Sequence, residues 1–480
     1  MKRLSKEPLF YLLVQATAVT VLVSVIFGTY PSPITGGDSA SYADFQMGSF
    51  AEMFQQIRTM GYPLFLRAFR FISPDLYLLP QVQVFLFLIA VFFFYAALRI
   101  YGFSNWAAFV TVSPFFYLRL IYQYGHEVLT DLPAAALALV TVSLVFIITR
   151  RNRSTLVYAG LALSLFLTYQ FRPAYLFMIP LVPALALVLF AIRGELNSAA
   201  GPIKRLAAGT VAVSFLPFIL FCLFRLVTVG HFGVVSYGGM NVIGITMQFL
   251  TKDVVTQLDE DLRPLALALI QERDKVNQSV VLPTAVSPTQ GQIVAMPYWH
   301  EYFVAYENRA FQTIRKIYWG GASLEDSKRT LPNMSSQDAP VELNQIATRL
   351  AKATFLARPG IHLIYYVKAL FYSVGFTIYA EPTIVPLLMA LLLACLVVSL
   401  RGSPFGLKGS AFSGKVMTAA ELNALILAGI LFYVAKVMMV DLVNPPTGRY
   451  LLAAGMFIPS IILSSVFLVL CKVPLRISDR

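Results

Sequence analysis

The sequence predicts an all-α polytopic membrane protein, because its composition and its apolar runs both point away from a soluble fold. Of its 480 residues, 58% are hydrophobic and only 13% are charged, and the mean hydropathy is +0.71. A soluble core does not require so large an apolar share. The apolar runs, such as 132–149 and 384–400, are continuous and do not alternate with polar residues. This pattern favours membrane-spanning helices over the strands of a barrel.

About ten segments are long and apolar enough to cross a bilayer as helices. The first follows a basic start and has no small-residue cleavage site, so we predict a retained span and not a signal peptide. The segment 361–376 is apolar enough to be an eleventh span, but counting it would put the basic 401–415 connection outside. We therefore predict a surface helix at 361–376. The predicted spans are 9–28, 77–98, 105–121, 132–149, 155–170, 174–192, 206–228, 383–400, 419–440 and 448–471.

The connections between spans are basic on one side of the predicted alternation. The other side carries a first loop (29–76) and a long loop (229–382) in which basic and acidic residues balance. The positive-inside rule then predicts cytoplasmic termini and outer loops on the far face. The net charge of +13 reflects this arrangement and predicts no nucleic-acid partner. The basic residues concerned are Lys2, Arg3, Lys6, Arg99, Arg150, Arg151, Arg153, Arg193, Lys204, Arg205, Arg401, Lys408, Lys415, Lys472, Arg476 and Arg480.

This topology divides the chain into three parts and shows no sustained internal repeat. Residues 1–228 form an N-terminal transmembrane module that contains the first outer loop, 29–76. Residues 229–382 form the long outer loop, in which 283–292 and 331–340 are polar stretches between helical ones. Residues 383–480 form the C-terminal transmembrane helices. The three cysteines, Cys222, Cys395 and Cys471, lie in or at the end of apolar spans, which predicts neither a disulfide nor a cysteine metal site.

The first outer loop predicts a short helix along the membrane surface. Ser49 followed by Glu52 is a capping-box pattern, which marks a helix start. The apolar residues of 50–57 recur at helical spacing and form one face, which would lie in the interface plane with Gln55 and Gln56 on the wet side. A break at Gly61-Tyr62-Pro63 follows, and a second helix is predicted from Pro63 through Phe69.

Asp38, in the segment GGDSASY, is the leading candidate for a functional residue, because a carboxylate beside lipid is costly to keep. Other polar residues recur at the outer ends of the spans, as at a site built between helices. Glu127 and Asp131 are four residues apart and are predicted to share one helix face. The simpler alternative is that these groups pair with one another or reach to the interface. The set comprises Asp38, Asp44, Arg58, His126, Glu127, Asp131, Arg172, Asp441 and Arg449.

The chemistry that fits this set is transfer from a lipid-bound phosphate ester. Arginines bind phosphate through paired charge-assisted hydrogen bonds, and a carboxylate can take the proton of an attacking hydroxyl or amine. One acid and several arginines near the lipid headgroups are a minimal set for an inverting glycosyl transfer. The sequence contains no HExxH, Walker A, GxGxxG or CxxC motif, and the four histidines lack ligand spacing.

Short motifs along most of the chain resemble those of the GT-C superfamily of polyprenyl-phosphate-sugar glycosyltransferases. The likeness is to the branch that holds protein O-mannosyltransferases and lipid A aminoarabinose transferases. The motifs are Asp-Ser-x-x-Tyr (38–42), Arg-Thr-x-Gly-Tyr-Pro-Leu-Phe-Leu (58–66), HEVLTD (126–131), Phe-Arg-Pro (171–173), GHFGVVSYGGMN (230–241) and Gly-Arg-Tyr-Leu-Leu (448–452).

The resemblance implies a GT-C-like fold and a role for each matching residue. It implies that Asp38 is the catalytic base, with Ser39 standing where many members have a second acid. It implies a polyprenyl-phosphate-linked sugar donor, a glycan, lipid or protein acceptor, contact with membrane lipid, and a bacterial inner (plasma) membrane location. No cofactor is certain, and dependence on a divalent metal is left open. The residues implied to bind donor or acceptor are Tyr42, Arg58, Tyr62, His126, Glu127, Asp131, Arg172, Arg449 and Tyr450.

Two other functions remain as alternatives at this point. A polymerase or ligase of lipid-linked polysaccharide would also work in a large outer loop, but such enzymes are expected to depend on basic residues in late loops. A transporter or flippase of lipid-linked sugars would show repeats and polar groups at the midplane. The acid in the first loop and the polar groups at the outer ends of the spans favour the glycosyltransferase.

Overall fold

The computed structural model of the chain is helical and confirms an all-α polytopic membrane protein. It describes residues 6–28, 33–36, 38–150, 154–193, 200–279, 299–319, 339–401 and 417–471. Within these ranges no β-strand forms, and Ile34 and Glu127 make an isolated bridge. The predicted polar stretch 283–292, most of 331–340, the basic connection 402–416 and the C-terminal 472–480 lie outside the described residues.

Eight helices of the described part are long and apolar enough to cross a membrane. Two further apolar helices, Thr155–Phe171 and Ile384–Ser399, are shorter. The helices of the first 230 residues are α1 (Lys6–Phe27), α2 (Ser39–Ala43), α3 (Phe50–Gln55), α4 (Gly61–Phe69), α5 (Leu79–Tyr101), α6 (Asn105–Val112), α7 (Arg119–Tyr124), α8 (Asp131–Arg150), α9 (Thr155–Phe171), α10 (Met178–Ile192) and α11 (Ala200–Val229). Those that follow are α12 (Gly238–Thr246), α13 (Lys252–Gln257), α14 (Arg263–Ser279), α15 (Trp299–Trp319), α16 (Ala339–Ala357), α17 (Pro359–Ala380), α18 (Ile384–Arg401), α19 (Ala419–Val443), α20 (Gly448–Ala454) and α21 (Ile458–Cys471).

The segment 105–121 is not the single helix that was predicted. It consists of α6, a 3₁₀ turn over Ser113–Tyr117, and α7, with extended backbone at Leu118. Pro114 has no N–H to continue the ladder of α6, which explains the break. Residues 105–124 still return along the full length of α5, because the chain just after α7 reaches the start of α5. There Gln83 donates to the carbonyl oxygens of Gly125 and Glu127, both at 3.1 Å.

The segment 361–376 belongs to a longer helix than the predicted surface helix. α17 has 22 residues and is long and apolar enough to cross a membrane. It packs against α19, where Ser373 donates to Asp441 Oδ2 at 2.7 Å. The Ala380 carbonyl accepts from Arg119 Nη1 at 3.1 Å, and the Glu381 carboxylate accepts from the Arg119 N–H at 3.0 Å. α17 therefore ends beside the start of α7, and α18 continues the path.

The membrane side of 402–416 can be tested by cysteine labelling, because the predicted topology places that connection in the cytoplasm. In a variant without the three native cysteines, Ser410→Cys is expected to stay unlabelled by an impermeant thiol reagent in intact cells. Glu260→Cys, an exposed position after α13, is expected to be labelled. Labelling of Ser410→Cys in intact cells would show that α17 and α18 both cross the membrane.

The first-loop helices form where they were predicted, with three differences. Ser49 accepts from the Glu52 N–H at 3.1 Å, but the Glu52 carboxylate accepts from Gly48 at 2.7 Å and so closes a shifted capping box. α4 begins at Gly61, two residues before the predicted start, because proline fits the first turn of a helix. The prediction that Gln55 faces water is wrong. Gln55 is buried because α3 is not a free surface helix but packs against α11.

The hydrophobic core has two main parts. The larger one joins α1, α5 to α11, α19, α20 and α21. The second joins α12 to α17 and is built around side chains such as Phe249, Leu265 and Tyr306. Helices of the long loop thus have their own core, and they meet the membrane helices at the end of the bundle where α8 and α20 begin. At the opposite end Arg150 Nη1 donates to the Tyr101 carbonyl at 2.9 Å, and Arg193 Nη1 donates to the Thr149 carbonyl at 2.9 Å.

Candidate functional site

Asp38 lies immediately before α2 and holds two arginines that come from distant parts of the chain. Its Oδ1 is 2.5 Å from Arg58 Nη2, and its Oδ2 is 2.6 Å from Arg449 Nη1. The Asp38 side chain makes no capping bond to α2, so both oxygens serve the arginines. The backbone around it is fixed by Ser39, whose hydroxyl donates to the Val128 carbonyl at 3.1 Å.

Asp131, the first residue of α8, supplies a second carboxylate, which shares Arg449 with Asp38. Its Oδ2 is 2.5 Å from Arg172 Nη1 and 3.0 Å from Arg449 Nε. Arg449 therefore links the two carboxylates through two edges of one guanidinium, and Arg172 also donates to the Thr130 hydroxyl at 3.2 Å. Three guanidinium groups against two carboxylates leave one positive charge in excess.

Aromatic rings hold the guanidinium groups in place. The Arg58 guanidinium lies 5.1 Å from the ring centroid of Tyr42 and 5.7 Å from that of Tyr237. The Arg172 guanidinium lies 5.0 Å from the ring centroid of Tyr450. Cation–π contacts of this kind add attraction and fix the plane in which each guanidinium donates.

These groups surround a cavity of about 460 Å³. Its wall combines membrane helices with the segment after α11 and with α15 from the long loop. Of the residues predicted for the site, those that line the cavity are Asp38, Tyr42, Arg58, Arg172, Arg449 and Tyr450. Asp131 lies behind this wall, and it is 1% exposed.

Three of the residues predicted for the site lie elsewhere. Tyr62 is fully buried, and its hydroxyl donates to Gln83 Oε1 at 3.0 Å. The His126 ring packs 5.1 Å from the Phe27 ring. Glu127 forms the bridge with Ile34. These three side chains are not part of the cavity wall.

The prediction that Glu127 and Asp131 share a helix face is wrong. α8 begins at Asp131, so Glu127 lies outside the helix. Residues 126–128 are instead tied to the first loop, where the Ile34 N–H donates to the His126 carbonyl and the Val128 N–H donates to the Ile34 carbonyl, both at 3.1 Å. This pairing holds the segment before α8 extended and brings the first loop next to Asp131.

The electrostatic surroundings of Asp38 keep it ionised. Burial acts to raise the pKa of its carboxyl, but the charges of Arg58 and Arg449 outweigh this, and the pKa is lowered. Glu307 of α15 also lines the cavity, but the pKa of its carboxyl is raised and not lowered. Burial raises the pKa of Glu307 to about 7, although a hydrogen bond from Tyr237 and the charge of Arg58 act to lower it.

Tyr237 and Glu307 are residues of the cavity wall that were not predicted from the sequence. Glu307 could have been recognised, since it interrupts the buried stripe of Phe303, Ala310 and Ile314 on α15. An acid inside an apolar helical stripe is unusual enough to question. Tyr237 lies within the glycine-rich motif 230–241 but carries no pattern of its own.

The structure offers no clear ligand set for a metal. Among the described residues no three His, Cys, Asp or Glu side chains come close enough together to hold an ion. The two carboxylates of the cavity network are already engaged by arginines.

Removal of the Asp131 carboxylate is expected to destabilise the protein. Asp131→Asn would leave Arg172 buried without its anion, and such a loss costs about 3–5 kcal/mol of unfolding free energy. The measurement is thermal unfolding of the purified protein in detergent, with Asp259→Asn as control. Asp259 is 74% exposed at 3.6 Å from Arg349, so its loss is expected to have no measurable effect. Equal unfolding temperatures for Asp131→Asn and wild type would contradict this account of the network.

No family model, curated protein or solved structure matches the chain, so the resemblance described for its motifs stays a prediction.

Proposed function

We propose that the protein is an integral-membrane glycosyltransferase that moves a sugar from a polyprenyl-phosphate donor to a glycan, lipid or protein acceptor. The observation that carries this proposal is a cavity lined by three arginines, next to a second cavity whose surface is mostly apolar. A charged guanidinium cluster suits a phosphate, and an apolar cavity suits a hydrocarbon chain.

The two cavities adjoin along a shared wall. Val235, Gly238 and Val443 line both of them. The apolar cavity has a volume of about 670 Å³ and lies between α12, α16, α17 and the end of α19. An amphiphile could therefore place its phosphate among Arg58, Arg172 and Arg449 and the first units of its chain across the shared wall.

The proposed reaction is a single displacement at the anomeric carbon of the sugar. A hydroxyl or amine of the acceptor forms the new bond to this carbon while the bond to the phosphate oxygen breaks. The electron pair stays on the phosphate, whose added charge the arginines stabilise. Attack opposite to the leaving phosphate inverts the configuration of the sugar. The proton of the acceptor passes to a carboxylate of the cavity.

Asp38 contributes to this reaction by holding the phosphate-binding groups. The resemblance implied a catalytic base at this position. With both oxygens engaged by Arg58 and Arg449 and its pKa lowered, however, Asp38 is a weak proton acceptor. We propose that it fixes the two guanidinium groups where the donor phosphate binds.

The proposal also covers architecture and location. We propose a GT-C-like arrangement of about ten membrane crossings, in a bacterial inner membrane, with cytoplasmic termini and the cavity on the outer face. Two observations support this orientation. The helices of the long, charge-balanced loop meet the membrane helices around the cavity. The basic Arg150 and Arg193 lie together at the other end of the bundle.

A two-sided vesicle experiment tests the function against transport. Sealed proteoliposomes would carry a polyprenyl-phosphate sugar with a labelled sugar, and acceptor extracts would be supplied on one side. We expect label to move covalently onto an acceptor, and nucleotide sugars to be inert. Donor that is moved intact between leaflets without any transfer would overturn the proposal in favour of a flippase.

A further inference from the structure

Glu307 is the second carboxyl that lines the arginine-bearing cavity, and it differs from Asp38 in how it is held. Among the described residues, Asp38 and Glu307 are the acids of the cavity wall. Both oxygens of Asp38 are in ion pairs with arginines. Glu307 Oε1 accepts one hydrogen bond from the Tyr237 hydroxyl at 2.9 Å, and within the described chain its carboxyl forms no ion pair.

The position of Glu307 on α15 is costly for a purely structural acid. It occupies the same stripe as Phe303, Ala310 and Ile314, which are all buried in the core of the long loop. A half-buried carboxyl that forms no ion pair is costly to keep ionised in such surroundings. Such a group in a cleft is a functional candidate on physical grounds.

The arginines and Glu307 reach the cavity from different parts of the chain. Arg172 and Arg449 are carried by membrane helices or their ends, and Arg58 lies in the first loop, so phosphate-binding groups occupy one side. Glu307 reaches the same cavity from α15, a helix of the long loop. The chain Glu307, Tyr237, Arg58, Asp38 connects the two sides through one hydrogen bond, one cation–π contact and one ion pair.

We propose that Glu307 is the catalytic residue that accepts the proton of the acceptor during sugar transfer. The inference rests on the proposed function. As the acceptor oxygen or nitrogen bonds to the anomeric carbon, the carbon–oxygen bond to phosphate breaks, and its electron pair stays on the phosphate. The acceptor proton moves to the Glu307 carboxylate, and solvent removes it afterwards. Tyr237 is a positioning residue, since its hydroxyl holds Glu307 Oε1.

Glu307→Gln is the direct test, with Glu301→Gln as its matched control on the exposed face of the same helix. Loss of a general base costs about 10²–10⁴-fold in rate. We expect Glu307→Gln to lower the rate of transfer at saturating donor at least about 10²-fold, with unchanged binding of a non-hydrolysable polyprenyl phosphonate sugar. Glu301→Gln is expected to match wild type. Transfer by Glu307→Gln at the wild-type rate would overturn the assignment.

The pH profile gives a second test that a merely structural glutamate would not satisfy. The groups that face Glu307 are Tyr237, Arg58 and Asp38. Glu307 must be ionised to accept a proton, so kcat/KM is expected to rise with pH to a half-maximal point near a pH of about 7. The Tyr237 hydrogen bond acts to lower the pKa of Glu307, so Tyr237→Phe is expected to move this point to higher pH.

An unmoved profile in Tyr237→Phe would overturn the assignment. Absence of transfer by wild type with every donor class would overturn the proposed function itself, and this result is distinct because it is read from wild type alone.

Discussion

Replacement of Asp38 with Asn is expected to abolish sugar transfer, with a loss of at least about 10³-fold, while the protein stays folded. The carboxylate holds Arg58 and Arg449 through separate oxygens at 2.5 and 2.6 Å. A neutral amide offers one acceptor and one donor, so it cannot hold two guanidinium groups. Each misplaced phosphate donor costs about 10²–10³-fold, and this substitution affects two of them.

The measurement is the initial rate of transfer by purified protein at equal expression and equal unfolding temperature. Asp44→Asn is the matched control, because Asp44 lies in the same loop and is exposed. We expect Asp44→Asn to transfer at the wild-type rate. A fully active Asp38→Asn protein would remove the arginine network from the proposed mechanism.

Arg449→Lys is expected to lose about 10²–10³-fold in transfer rate and to weaken donor binding. The Arg449 guanidinium reaches Asp38 through Nη1 and Asp131 through Nε, so two edges of one plane are used. A lysine ammonium is a single point of charge on a flexible stem and cannot reproduce both contacts while also facing a phosphate. Replacing arginine with lysine therefore keeps the charge but loses the contacts at this position.

The matched control is Arg349→Lys, whose side chain is 52% exposed and pairs with Asp261 at 2.9 Å on the surface. We expect it to leave transfer and donor binding unchanged. Donor binding is measured by titration with a fluorescent polyprenyl phosphate. Wild-type affinity and rate in Arg449→Lys would show that the bidentate geometry is not used.

Much of the helical fold could be predicted from the length of the apolar runs, since only helices satisfy their own backbone groups in lipid. The run at 132–149 became α8, and the run at 419–440 became the core of α19. The segment 105–121 has the same apolar character but contains Pro114, which has no N–H to continue the backbone ladder of α6. The segment 361–376 was predicted to be a surface helix in order to preserve the charge alternation, whereas α17 is long and apolar enough to cross a membrane.

Site residues could be predicted from the sequence where an ionisable residue stands next to an apolar span. They were missed or misplaced where their position depends on contacts between distant segments. Asp38, Arg172 and Arg449 stand out as ionisable residues beside apolar spans, and the fold brings them to one cavity. Glu127 was misplaced because its pairing with Ile34 is a contact between distant segments. Glu307 was missed because the long loop holds many charges, and only the burial of its helix face singles it out.

The most direct test of the central claim is the stoichiometry of a single reaction by purified wild-type protein. Supplied with a doubly labelled polyprenyl-phosphate sugar and an acceptor extract, the protein is expected to release one polyprenyl phosphate for each sugar joined to an acceptor, with inverted anomeric configuration. Donor that remains intact across all acceptors, while a nucleotide sugar or no sugar at all is consumed, would contradict the assignment of this cavity to lipid-phosphate sugar transfer.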